Sequence, residues 1–276
     1  MLHSRQEARG LDEAASRLSE VRTVLSALAD VLVQIGTDGS AGRSAEEADD
    51  LIGQMDAVAI ESRRSESLMV RLIADLDRET GAVVDPLHDL PPEGRQDRLL
   101  RIFGIGRKLD EPEARDRRAA VVIRRILVDT HAMLACLEDH RGFLLDLLNR
   151  CEPPIDAALS RLRRTGTFED DLPLRDELTR GIDMLQDFVD RIIDMLSAFN
   201  LLVNKLALDA EERVLSLRGL ASDTLLDTAS DAPRLATLLM RADRGLLTVH
   251  GLAGRKARLD DAFRRRLSSS RQAGHR

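Results

Sequence analysis

Leu11, Ala14, Leu18, Val21, Leu25, Leu28, Leu32 and Ile35 recur at alternating steps of three and four residues without a miss. An α-helix gathers such a set into one stripe, and a sustained period of 3.5 is the signature of helices zipped side by side. A strand cannot use this spacing, because its neighbours alternate between two faces. Period-two alternation is nowhere sustained, and hairpin pairs such as Asn-Gly are missing between apolar runs. The fold class expected is all-α: an elongated antiparallel helical bundle built from long heptad-patterned helices.

Gly36, Gly39 and Gly42 end the first helix, and Ser44 with Glu47 forms a capping box for the next. That second helix carries Ala48, Leu51, Met55, Val58, Ser62, Ser65, Met69, Leu72 and Leu76 inward and is expected to stop at Gly81. Residues 1–81 therefore read as an N-terminal helical hairpin. Residues 82–110, punctuated by Pro86, Pro91, Pro92, Gly94, Gly104 and Gly106, read as a linker with one short basic helix at about 95–103. Residues 111–267 form the main helical bundle. Its first helix has Ala119, Ile123, Ile126, Thr130, Met133, Leu137, His140, Leu144, Leu147 and Cys151 in its seam, and Pro153-Pro154 is expected to kink or break it. The next runs from about Pro173 to Ala221 on Ile182, Leu185, Val189, Ile192, Leu196, Phe199, Val203, Leu206 and Ala210. A fifth helix is expected from Asp231 and Pro233 onward, and residues 268–276 read as a disordered basic tail.

Composition removes several function classes. The longest uncharged runs, Met195–Asn204 and Gly245–Gly254, span ten residues, whereas a membrane-spanning helix needs roughly 20 apolar ones. The N-terminal residues lack the apolar stretch of a secretory signal. Cys136 and Cys151, placed on one helix, lie ~22 Å apart, beyond disulfide reach. These features point to the cytoplasm, and the arginine bias with few asparagines points to a GC-rich bacterial genome. A net charge of −7 argues against a dedicated nucleic-acid binder.

A catalytic or metal-binding constellation does not emerge. Di-iron bundles need Glu-x-x-His on one helix face, and the residues three before His131, His140 and His250 are Val128, Leu137 and Leu247. Asp85, His88 and Asp89 read as a solvated turn rather than a metal site. No Gly-x-Ser-x-Gly elbow occurs. His140 reads as a hydrogen-bonded core histidine, and Ser62, Ser65 and Thr130 as polar seam residues that fix register. The run Phe103-Gly104-Ile105-Gly106-Arg107-Lys108 has the wrong glycine spacing for a phosphate loop. It resembles a short segment of toxic-anion (tellurite) resistance proteins, too brief a likeness to carry a function or a residue across. No catalytic residue, cofactor or metal is expected.

What remains is surface. Phe188, Ile193, Met195, Leu201 and Leu202 widen the apolar stripe of the fourth helix and are the expected partner-contact residues. Asn200, Asn204 and Lys205 are expected to form a polar layer between helices, because unpaired buried amides are costly. The last 22 residues hold eight basic and two acidic side chains, leaving an acidic body. Arg255, Lys256, Arg258, Arg264, Arg265 and Arg266 are the expected basic surface. The expectation is a non-enzymatic scaffold or protein–protein interaction protein, with a protein partner or a second copy of itself. The alternative is a membrane-acting protein that uses Met195–Leu208 and the basic C-terminal segment on an anionic surface. An enzyme with its site at residues 82–110 or at His140 is the least supported class.

Overall fold

The seams dictate the elements observed. The computed structural model describes five helices: α1 (Leu2–Asp38), α2 (Ala45–His88), α3 (Ala114–Arg164), α4 (Leu172–Leu220) and α5 (Val249–Ala273). Every described residue is helical, so the protein is all-α. The expected short helix at 95–103 and the start of the expected fifth helix at 231 lie outside the described residues. So do Ser44 and the glycines at 39 and 42, although α2 begins at Ala45, the residue after the capping serine.

The helices arrange into two compact units, and three helices pass from one to the other. Unit 1 comprises Met1–Met69 with Leu137–Asn200, and unit 2 comprises Val70–Cys136 with Leu201–Arg276. This division differs from the linear one expected at 1–81 and 111–267. The physical reason is that the seams of α2, α3 and α4 run on without interruption, so each helix buries part of its length in each unit.

Within unit 1, Ala14, Leu18, Val21, Leu25, Leu28 and Leu32 of α1 face the core beside Leu51, Met55 and Val58 of α2. Arg17 of α1 pairs with Glu61 of α2 at 2.9 Å. Asp30 of α1 pairs with Arg150 of α3, and Arg191 of α4 with Asp56 of α2. The largest buried side chains in this unit include Phe188 and Phe199 of α4. Where α1 nears α4, Gly181 leaves room for Ile35: a Cβ there would sit 3.1 Å from Ile35 Cγ2.

Unit 2 buries Val70, Leu72, Ile73 and Leu76 of α2, Ile126, Met133 and Leu134 of α3, Leu202, Val203 and Leu206 of α4, and Phe263 of α5. Arg125 of α3 reaches Glu79 of α2, and its Nε lies 3.5 Å from Asp129. Burial raises the Asp129 carboxyl above its ordinary value; Arg125 opposes this and Glu79 adds to it.

Three boundaries differ from expectation. Helix α2 continues past Gly81 to His88; a lone glycine costs only about 1 kcal/mol, too little to stop a helix by itself. Helix α3 runs through Pro153 and Pro154 to Arg164. Those prolines withhold amides from the carbonyls of Asn149 and Arg150, yet Pro154 is buried and Ala158 beyond it rejoins the core. The segment from 268, expected to be disordered, is helical as far as Ala273. The Ser268 and Ser269 hydroxyls donate to the carbonyl of Arg265 at 2.8 and 3.0 Å, folding these polar side chains back onto the helix.

Candidate functional site

The most concentrated buried chemistry lies in unit 2 around Lys205. Along α4 a second seam runs beside the first, with Phe188, Met195, Leu202 and Asp209 at seven-residue intervals and Lys205 between the last two. All five are buried. The Lys205 ammonium donates to both Asp209 oxygens at 2.7 and 2.6 Å. It lies 2.9 Å from Asp260 of α5 and 3.5 Å from Asp77 of α2. It also sits 5.6 Å from the centroid of the Phe263 ring, a cation–π approach. Burial works against the charged lysine, but Asp209, Asp260 and Asp77 together outweigh it, so its pKa stands above the ordinary value. One ammonium thus holds carboxylates from three helices.

Of the polar layer expected from the sequence, Lys205 alone is fully buried. Asn200 is half-buried and Asn204 is exposed. Asn204 lies one residue, or about 100°, round the helix from Lys205, which turns its amide away from the seam. Asp209, Asp77 and Asp260 complete the layer instead, and Phe263 closes it. The sequence did hold a signal: Lys205 and Asp209 form an i, i+4 pair on the seam of Phe188 and Leu202.

The partner-contact residues expected on α4 divide sharply. Phe188 and Met195 are buried in unit 1 and Leu202 in unit 2, while Leu201 is half-buried. The chain's own helices take up these side chains, so they offer no outward face. Ile193 is 46% exposed. Val24, Ile52, Ile60, Val128 and Leu145 are exposed as well, on α1, α2 and α3. Of the basic surface, Arg258, Arg264, Arg265 and Arg266 are exposed and Lys256 is half-buried, while the side chain of Arg255 lies outside the described residues. Arg264 pairs with Asp261 at 3.2 Å.

His140 is buried in unit 1, edge-on to Phe199. The hydrogen bond expected for it does not form: neither ring nitrogen has a partner. Burial, helped by the nearby Arg22 charge, pushes its pKa down to about 4 from an ordinary 6.5. The neutral ring behaves as an aromatic core residue. Ser65 and Thr130 are buried, with hydroxyls donating to the carbonyls of Glu61 at 3.0 Å and Ile126 at 2.6 Å. Cys151 is buried in unit 1, and burial raises its thiol to about 11, while Cys136 is half-buried in unit 2. Among the described residues no group of three or more His, Cys, Asp or Glu side chains is placed to hold a metal ion. No described helix is long and apolar enough to cross a membrane. The side chains of Asp85, His88 and Asp89 lie outside the described residues. No family model, curated protein or solved structure matches the chain.

Proposed function

We propose that this chain is a non-enzymatic cytoplasmic scaffold that works by holding a protein partner or a second copy of itself. The observation that carries this reading is how the buried polar groups are used. Lys205 is committed to carboxylates on α2, α4 and α5, and the seam hydroxyls of Ser65 and Thr130 are committed to helix backbone. The hydroxyls satisfy their own helices, whereas the Lys205 network joins different helices and so fixes which faces which, at some cost in stability. A precise register of long helices serves a protein whose outer faces must present a fixed pattern. Among the described residues of unit 1, Val24, Ile52, Ile60, Leu145 and Ile193 are the large apolar side chains those faces offer.

The membrane reading draws less support. Phe263, the aromatic anchor of the basic segment, is turned onto Lys205, and within Met195–Leu208 the large apolar side chains Met195, Leu196, Phe199, Leu202, Val203 and Leu206 are buried.

Affinity capture of the tagged chain from its native cells, with cross-linking and mass spectrometry, tests the proposal. The expected result is a reproducible partner, or the chain itself, cross-linked to the outer helix faces. A monomer that captures nothing reproducible, or one that instead floats with anionic vesicles at low salt, overturns it.

A further inference from the structure

We propose that the arginine face of α5 docks on the aspartate face of α4 in a second copy of this chain. The inference rests on the interaction-protein reading and names the partner for one surface.

Charge separation comes first. The net charge of −7 splits into +6 over residues 255–276 and −13 over the rest. On α5 the packing sharpens this contrast. Asp260 points at Lys205 and Phe263 is buried, whereas Arg258, Arg264, Arg265 and Arg266 are exposed, with the exposed Asp261 among them paired to Arg264 at 3.2 Å. The acidic counterpart lies on α4 in unit 1. Asp183, Asp187, Asp190 and Asp194 follow steps of four, three and four and are all exposed, forming a stripe on the face away from Ile182, Leu185, Val189 and Ile192.

The spacings match. Asp187 is already held by Arg191 at 3.0 Å, but Arg258 and Arg265 are seven residues apart, as are Asp183 and Asp190. Each interval is two helical turns, ~10.5 Å at 1.5 Å per residue. Two helices laid alongside can therefore bring two ion pairs into register at once. Arginine suits this role, since its planar guanidinium grips a carboxylate with two parallel hydrogen bonds.

The competing occupants fit less well. A bilayer surface needs an apolar stripe to bury, but Phe263 is already buried and Leu259 and Leu267 are half-buried. Single-stranded nucleic acid needs aromatic side chains to stack on, and the arginine face has none. The acidic body also repels phosphate. A second copy supplies a face of the opposite sign at the same spacing.

Sedimentation velocity over a concentration series tests this at about 0.05 M and about 0.5 M salt, between which the screening length shrinks severalfold. The wild-type chain is expected to associate at low salt and revert to monomer at high salt. R258E/R265E and D183R/D190R/D194R are each expected to weaken association at least tenfold. Their equimolar mixture is expected to regain it, because the reversed charges then face one another. Circular dichroism melts confirm that both variants fold, and the milder R258Q/R265Q and D183N/D190N/D194N replace any that does not. A monomer at low salt, association indifferent to salt or to both variants, or a mixture that stays monomeric overturns the proposal. So does binding to anionic vesicles or duplex DNA that R258E/R265E abolishes while self-association is unchanged. A monomer that still captures a cellular partner refutes this inference alone; one that captures nothing refutes the scaffold reading with it.

Discussion

The imidazole of His140 meets the Phe199 ring edge-on, with centroids 4.4 Å apart and planes inclined at 64°. A histidine held this way is stable only while neutral. Its folded pKa of about 4 lies below the ordinary 6.5. The stability it permits is fully present above 6.5 and is lost as pH falls through that value toward 4. At about 1.4 kcal/mol per pH unit, the loss is on the order of 3 kcal/mol. His140→Leu should flatten this acid slope in urea melts followed by circular dichroism from pH 8 to about pH 4. At neutral pH the variant should be no less stable, since two unpaired buried nitrogens are removed. Parallel pH profiles for the two proteins would refute the assignment.

Removing Lys205 leaves Asp209 buried without its cation. Breaking a buried pair from one side typically costs about 3–5 kcal/mol, whereas replacing both partners by apolar residues is far milder. Lys205→Met should therefore destabilise strongly, and Lys205→Met with Asp209→Leu should recover most of the loss. Equal destabilisation of single and double variants in denaturant melts would show that the charges are not coupled. The raised lysine pKa adds an alkaline signature. Its contribution is present below the ordinary value of 10.5 and declines above it as the ammonium deprotonates.

The two prolines of α3 should respond differently to alanine. Pro153 is exposed and Pro154 is buried. Pro153→Ala restores an amide for the Asn149 carbonyl without losing buried surface, and should stabilise by up to about 3 kcal/mol. Pro154→Ala restores an amide but empties part of the core, so its gain should be smaller or negative. Thermal melts of the two variants, ranked in the opposite order, would contradict this.

Glycine positions offer a steric test. A Cβ at Gly53 or Gly142 meets nothing within 4 Å, so alanine at either should stabilise by about 0.5–1 kcal/mol. At Gly181 the same Cβ presses on Ile35 at 3.1 Å, and Gly181→Ala should gain less or lose stability. In an Ile35→Ala background the Gly181→Ala change should become favourable, giving a measurable coupling energy. Additive effects at 35 and 181 would show that the helices do not meet there.

Much of this architecture was legible in the sequence because a heptad seam is a local property. All nine inward positions named on α4, from Ile182 to Ala210, are buried. The buried Ser62, Ser65 and Thr130 also fall where the seam places them. Pairing partners were not legible, because amphipathic spacing says which face is buried and not what lies against it. Nothing about Asp77 or Asp260 alone reveals that both approach Lys205 from other helices. Asn200 and Asn204 stand out by residue type, while the burial belongs to the next position along, Lys205. The same blindness hid the division into units, since an uninterrupted stripe gives no sign of where its neighbours change.

Each unit carries one thiol on the same helix, Cys151 in the first and Cys136 in the second. With no tryptophan or tyrosine in the chain, conventional intrinsic fluorescence is a poor reporter of unfolding. Sulfhydryl labelling followed by intact-mass measurement fills that gap without engineered probes. Peptide mapping then clocks the opening of each half separately, so cooperative and stepwise melting become distinguishable in the unaltered molecule.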